Sequence, residues 1–69
     1  MKRQAVKSST IRSVGYDPAT KKLHVEFSSG SVYEYSDVPA HRHADLLAAP
    51  SIGSFLHTHV KGRHAHRKL

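Results

Sequence analysis

Leu23, Val25 and Phe27 alternate with His24, Glu26 and Ser28, and beyond Ser28-Ser29-Gly30 the pair Tyr33-x-Tyr35 resumes the two-residue period. That period belongs to strands with one buried face. Two such runs joined by a short glycine-containing segment predict a β-hairpin. The loop length then decides where the tyrosines point. A three-residue loop with Gly30 left-handed pairs Phe27 with Ser31, Val25 with Tyr33 and Leu23 with Tyr35, placing both rings on the apolar face. A two-residue Ser29-Gly30 loop pairs Glu26 with Tyr33 and His24 with Tyr35, on the opposite face. The longer loop is preferred, because glycine serves best at its third position.

A third strand precedes the hairpin. Ile11, Val14 and Tyr16 suit a strand over residues 10–16, yet positions 11 and 14 share a face only if a bulge intervenes, expected near Ser13 to Gly15. Asp17-Pro18-Ala19-Thr20 is a turn, since Pro18 presets φ and the Asp17 side chain can accept from the backbone ahead of it. After the hairpin, Pro39 opens a helix expected to run to about Ala48, with Ala40, His43, Ala44 and Leu47 toward the sheet. Pro50 stops it. Ser51 caps a shorter second helix through Phe55, Leu56, His59 and Val60, ending near Gly62, where the chain can turn left-handed. The predicted fold is α+β, a three-stranded antiparallel β-meander followed by two short helices packing on one face of the sheet. Residues 1–8 read as a flexible basic arm, 9–62 as a single domain, and 63–69 as a basic, histidine-containing tail.

Sixty-nine residues form one domain near the lower limit for a single hydrophobic core. With no cysteine, neither a disulfide nor a thiolate zinc site can reinforce it. The charged start Met1-Lys2-Arg3 is not followed by an apolar stretch, so neither a signal peptide nor a membrane span is read here, and the chain is expected to be cytoplasmic.

The net charge of +6 is unevenly placed. Lys2, Arg3, Lys7, Arg12, Lys21 and Lys22 crowd the first third against Asp17 alone, and Lys61, Arg63, Arg67 and Lys68 crowd the end. Between them Glu26, Glu34, Asp37 and Asp45 face only Arg42. Basic ends flanking an acidic middle suit phosphate neutralisation with counterion release. They also suit plain solubility.

The ordered combination of Ser8-Ser9, Ile11, Gly15-Tyr16-Asp17, Leu23-x-Val25-x-Phe27, Gly30, Tyr33-x-Tyr35, Val38-Pro39, Leu47, Ala49, Ser51-x-Gly53 and Phe55 resembles the KTSC domain. This family is named for the C-terminal segment of some lysyl-tRNA synthetases and also occurs as small stand-alone bacterial and phage proteins. The resemblance covers residues 6 to 62. It implies a small domain with a central tyrosine pair and a suspected role in RNA binding, and it brings no catalytic residues. Three positions depart from the family pattern: Pro50 stands where a polar residue is usual, and His64 and His66 stand where aromatics are common.

Tyr33, Tyr35 and Phe27 are candidates for stacking on unpaired bases, a contact that contributes roughly 1–3 kcal/mol per base. A chain this small needs most of its large apolar side chains for its core, so Tyr33 and Tyr35 are expected to be core residues whose hydroxyls reach outward. Tyr16, beside a turn and the basic arm, is then the better exposed ring. Six of the seven histidines form His-x-His pairs at 41/43, 57/59 and 64/66. On a helix that spacing splays the rings apart, so the first two pairs are poor chelates. His64 and His66, with His59, form at most a weak Zn²⁺ or Ni²⁺ site, and no metal or other cofactor is assigned. Protonation of these histidines below about pH 6.5 adds positive charge, so anion binding is expected to tighten between about pH 8 and 6.

No glycine-rich phosphate loop or Gly-x-Ser-x-Gly elbow occurs, and so small a chain forms little cleft, so no enzyme activity is predicted. A helix-turn-helix over residues 39–60 is disfavoured, because Ile52 to Val60 has no arginine, lysine, asparagine or glutamine to read base edges. The expected function is a non-enzymatic binding module for RNA or another single-stranded nucleic acid. Lys2, Arg3, Lys7, Arg12, Lys21, Lys22, Lys61, Arg63, Arg67 and Lys68 would lie on phosphates, and Tyr16, Tyr33 or Tyr35 on bases. The alternative is a protein-interaction module, phage-derived in origin, that holds a host protein through an edge strand or the acidic middle. A monomer is expected, and no membrane partner.

Overall fold

A computed structural model describes residues 2–69; Met1 lies outside the described residues. The elements in chain order are β1 (Arg3–Ala5), β2 (Ile11–Asp17), β3 (Lys22–Phe27), β4 (Val32–Tyr35), α1 (Ala40–Ala48), α2 (Ile52–His59) and β5 (His66–Lys68). All five strands form one antiparallel sheet in the order β1-β2-β3-β4-β5. The expected meander is its centre, β2-β3-β4. The three-stranded expectation is corrected to five: Arg3–Ala5, within the expected arm, and His66–Lys68, within the expected tail, pair as the two edge strands. Their polar triplets carry no buried period to betray them, and what holds them is backbone pairing to an edge that already exists.

The hairpin has the longer loop. The Phe27 amide donates to the Ser31 carbonyl at 2.8 Å, Gly30 has φ 96°, and Val25 opposes Tyr33 while Leu23 opposes Tyr35. A bulge does bring Ile11 and Val14 to one face, but it lies at Arg12, between the Ile11–Phe27 and Ser13–Glu26 pairs, rather than at Ser13 to Gly15. Arg12 is the residue that can be extruded without penalty, since its side chain ends in solvent. The Asp17 carboxylate accepts from the Ala19 amide at 3.0 Å, closing the expected turn.

Pro39 sits as the N-cap of α1 rather than inside it. The buried position of this helix is Leu46, with His43 and Leu47 half-buried beside it; Ala40 and Ala44 face solvent, so the expected face is rotated. The larger Leu46 removes more apolar area from water than either alanine could. Ser51 caps α2 by accepting from the Ser54 amide. Beyond the helix, Val60 and Lys61 amides both donate to the Leu56 carbonyl, and Gly62 turns left-handed at φ 87°. Leu46, Leu56 and Val60 join Ile11, Val14, Leu23, Val25, Tyr35 and Val38 in one core, so both helices lie on the same face of the sheet.

Candidate functional site

The register sorts every strand residue onto one of two faces. On the face without helices, His24, Glu34 and Arg67 form a row across β3, β4 and β5. His24 Nε2 lies 2.8 Å from one Glu34 carboxylate oxygen, and Arg67 Nε donates to the other at 3.0 Å. The His24 hydrogen bond lowers the Glu34 carboxyl below its ordinary range, burial opposes it, and Arg67 adds to the lowering. Beside this row Ser13 donates to Glu26 at 2.9 Å, and Arg12 lies 3.6 Å from the same carboxylate. Glu26 and Glu34 thus tie neighbouring strands together.

The helix-bearing face is not covered to its end. Where the helices stop short, Phe27 and Tyr33 meet edge to face with ring centroids 5.6 Å apart, and they floor an open groove of about 490 Å³. Lys61, just past α2, lines it, as does His66 of β5, whose ring centroid is 5.9 Å from that of Tyr33 and 5.5 Å from that of Tyr35. Lys68 opposes Tyr33 in the register and projects from the same face. A second lobe of about 530 Å³ runs from there along α2 and shares Ser9, Thr10, Phe27 and Lys61 with the first.

The three tyrosines therefore differ. Tyr35 is a core residue, 2% exposed, and burial together with the neighbouring Tyr33 hydroxyl raises its pKa. Tyr33 is half-buried and presents part of its ring to the groove. Tyr16, expected as the exposed ring, is instead packed: it stacks on His43 and its hydroxyl donates to the Val38 carbonyl. The sequence placed it beside a turn, but its register opposite Leu23 turns it under α1.

The basic residues do not converge. Lys2 and Arg3 lie at the β1 edge and Arg67 and Lys68 at the β5 edge, four strand spacings or about 19 Å apart. Arg67 is bound to Glu34, Lys22 donates to Ser36 at 2.9 Å, Arg63 donates to the Thr58 carbonyl at 3.3 Å, and Arg12 donates to the Ser28 carbonyl at 3.2 Å. Lys7 and Lys21 are exposed away from the groove. Only Lys61 lines it, with Lys68 beside Tyr33. What the sequence reading missed is the hydroxyl lining, to which Ser9, Thr10, Ser54 and Thr58 contribute. The serine-rich runs at 8–10 and 28–31 were its only sequence signal.

Among the described residues no three histidine or carboxylate side chains gather as metal ligands. No helix of the described residues is long and apolar enough to cross a membrane.

Residues 7–64 match the KTSC domain. The chain is 47% identical over 64 residues to an uncharacterized protein of Stutzerimonas stutzeri, covering 93% of this chain and 90% of that one. It is 41% identical over 61 residues to a lysine–tRNA ligase of Nostoc sp., covering 88% of this chain but 11% of the ligase. The crystal structure of a KTSC domain protein from Yersinia pestis superposes with a TM-score of 0.96 at 38% identity, covering 99% of this chain and 96% of that one. The five-stranded sheet with two helices on one face is accordingly a family fold, and the chain belongs to the KTSC domain family.

Proposed function

We propose that this domain is a non-enzymatic module that binds single-stranded RNA in the groove over Phe27 and Tyr33. The observation that carries this is the meeting of an uncovered aromatic floor with cations at its border: Phe27 and Tyr33 below, Lys61 and Lys68 beside them. Every base has a π-face, so half-exposed rings accept unpaired bases without regard to sequence, while ammonium groups bind the phosphates between them. Support of a different kind comes from the relatives, since a segment like this chain recurs within lysine–tRNA ligases, proteins whose named substrate is a tRNA. The protein-interaction alternative is weakened by the acidic middle, whose Glu26 and Glu34 are already bound to Arg12, Ser13, His24 and Arg67.

The test is an NMR titration of the labelled domain with an unstructured oligoribonucleotide at low and high salt, repeated with Tyr33→Ala. Shifts at Phe27, Tyr33 and Lys61 that persist at high salt are expected, and the variant should bind roughly five- to 150-fold more weakly. Shifts confined to the β1 edge and erased by salt would sink the proposal.

A further inference from the structure

The aromatic lobe accounts for half of the groove; the other half has different chemistry. Its α2 wall carries Ser54 and, one turn later on the same side, Thr58. The facing wall carries Ser9 and Thr10. Ser54 accepts a hydrogen bond from the Ser51 hydroxyl at 3.1 Å, which leaves its own proton free to donate. Gly53 lets Thr10 lie directly against the helix, since a Cβ there would stand 2.5 Å from the Thr10 hydroxyl oxygen. Phe27 is the one ring bordering this lobe besides the His57 imidazole, and Phe27 also floors the first.

We infer that this hydroxyl-lined lobe receives the ribose following the stacked base and selects RNA over DNA by hydrogen bonding the 2′-hydroxyl. The inference rests on the RNA-binding proposal. Lys61 borders both lobes, so a phosphate held there places one nucleotide over Tyr33 and Phe27 and the adjoining sugar between Ser54, Thr58 and the 9–10 wall. A 2′-hydroxyl both donates and accepts, as do serine and threonine hydroxyls, whereas a deoxyribose offers a C–H in its place, which makes none of those hydrogen bonds.

The test uses fluorescence anisotropy with a short oligouridine and the matching oligodeoxyuridine, which differ only at the 2′ position. The wild-type domain should favour the ribo-oligomer by about five- to tenfold. In Ser54→Ala/Thr58→Ala the ratio should fall to near one with the deoxy affinity unchanged. Neither residue is the helix cap, and alanine favours the helix at both positions, so the variant is expected to stay folded, as circular dichroism would verify. Equal wild-type affinities, or a ratio that the double variant leaves intact, would overturn the ribose inference alone. Failure to bind either oligomer would overturn the RNA proposal and this inference with it.

Discussion

Tyr16 lies flat on His43, with ring centroids 4.7 Å apart and 14° between the planes. The stack joins β2 to α1 and is fixed at its far end by the Tyr16 hydroxyl, which donates to the carbonyl of fully buried Val38. Burial lowers the His43 pKa, because the charged imidazolium would lose its water there.

His43 should therefore make the fold acid-sensitive. A histidine whose folded pKa lies below its unfolded value stabilises the fold fully above that unfolded value, about pH 6.5. The contribution is lost as the pH falls through the folded value. Thermal melts between pH 7.5 and 5 should show a falling melting temperature in the wild type and a smaller fall in His43→Phe, which keeps a ring beneath Tyr16. An identical pH response in the two proteins would remove His43 as the cause.

Tyr16→Phe keeps the stack but leaves the Val38 carbonyl without its donor. An unsatisfied buried acceptor costs about 1–3 kcal/mol, and for a domain this size each kcal/mol lowers the melting temperature by about 4–8 °C. Differential scanning calorimetry should thus place the variant at least several degrees below the wild type. A change under a degree would mean that water replaces the hydroxyl.

Glu34 should link acid to the detachment of β5. Its depressed pKa means that its stabilising contacts with His24 and Arg67 are present above the ordinary glutamate range, about pH 4.3, and are lost as the pH falls through the folded value. Glu34→Gln keeps the shape but loses the charge. Hydrogen exchange at the Leu69 amide, which donates to the Val32 carbonyl at 2.8 Å, should quicken in this variant at neutral pH while core amides such as Val25 change little. Equal protection of Leu69 in both proteins would show that backbone pairing alone holds the edge.

The tyrosine pair should separate into a stability residue and a binding residue. Tyr35→Ala opens a cavity in the core and should cost about 3–5 kcal/mol, as large aromatic truncations do, which a small domain can scarcely withstand. Tyr33→Ala, at the half-exposed groove floor, should cost much less. Urea denaturation compares them directly, and equal losses would make Tyr33 a core residue.

Gly53 and Thr10 form a testable close pair. In a Thr10→Ala background, Gly53→Ala should stabilise by roughly 0.5–1 kcal/mol through helix propensity. In the wild type the same change must displace the Thr10 hydroxyl and should gain less or lose stability. A double-mutant cycle with no coupling would place Thr10 away from the helix.

The sequence by itself determined the central hairpin, its three-residue loop, the Asp17 turn, the Ser51 cap and the Gly62 stop, because each depends on neighbours within a few residues. The tyrosine register followed from the position of Gly30 alone. Tertiary structure decided the rest. Arg3–Ala5 and His66–Lys68 have no strand signal of their own, and they become strands only where β2 and β4 present unpaired backbone groups. Tyr16 looked exposed beside its turn until α1 brought His43 onto it, and Arg67 looked free for phosphate until pairing set it beside Glu34. The groove arises between the hairpin, the 8–10 segment and α2, parts distant in sequence. Its aromatic floor and its cations Lys61 and Lys68 were legible residue by residue, but its hydroxyl walls were not, since only packing brings such side chains to one place.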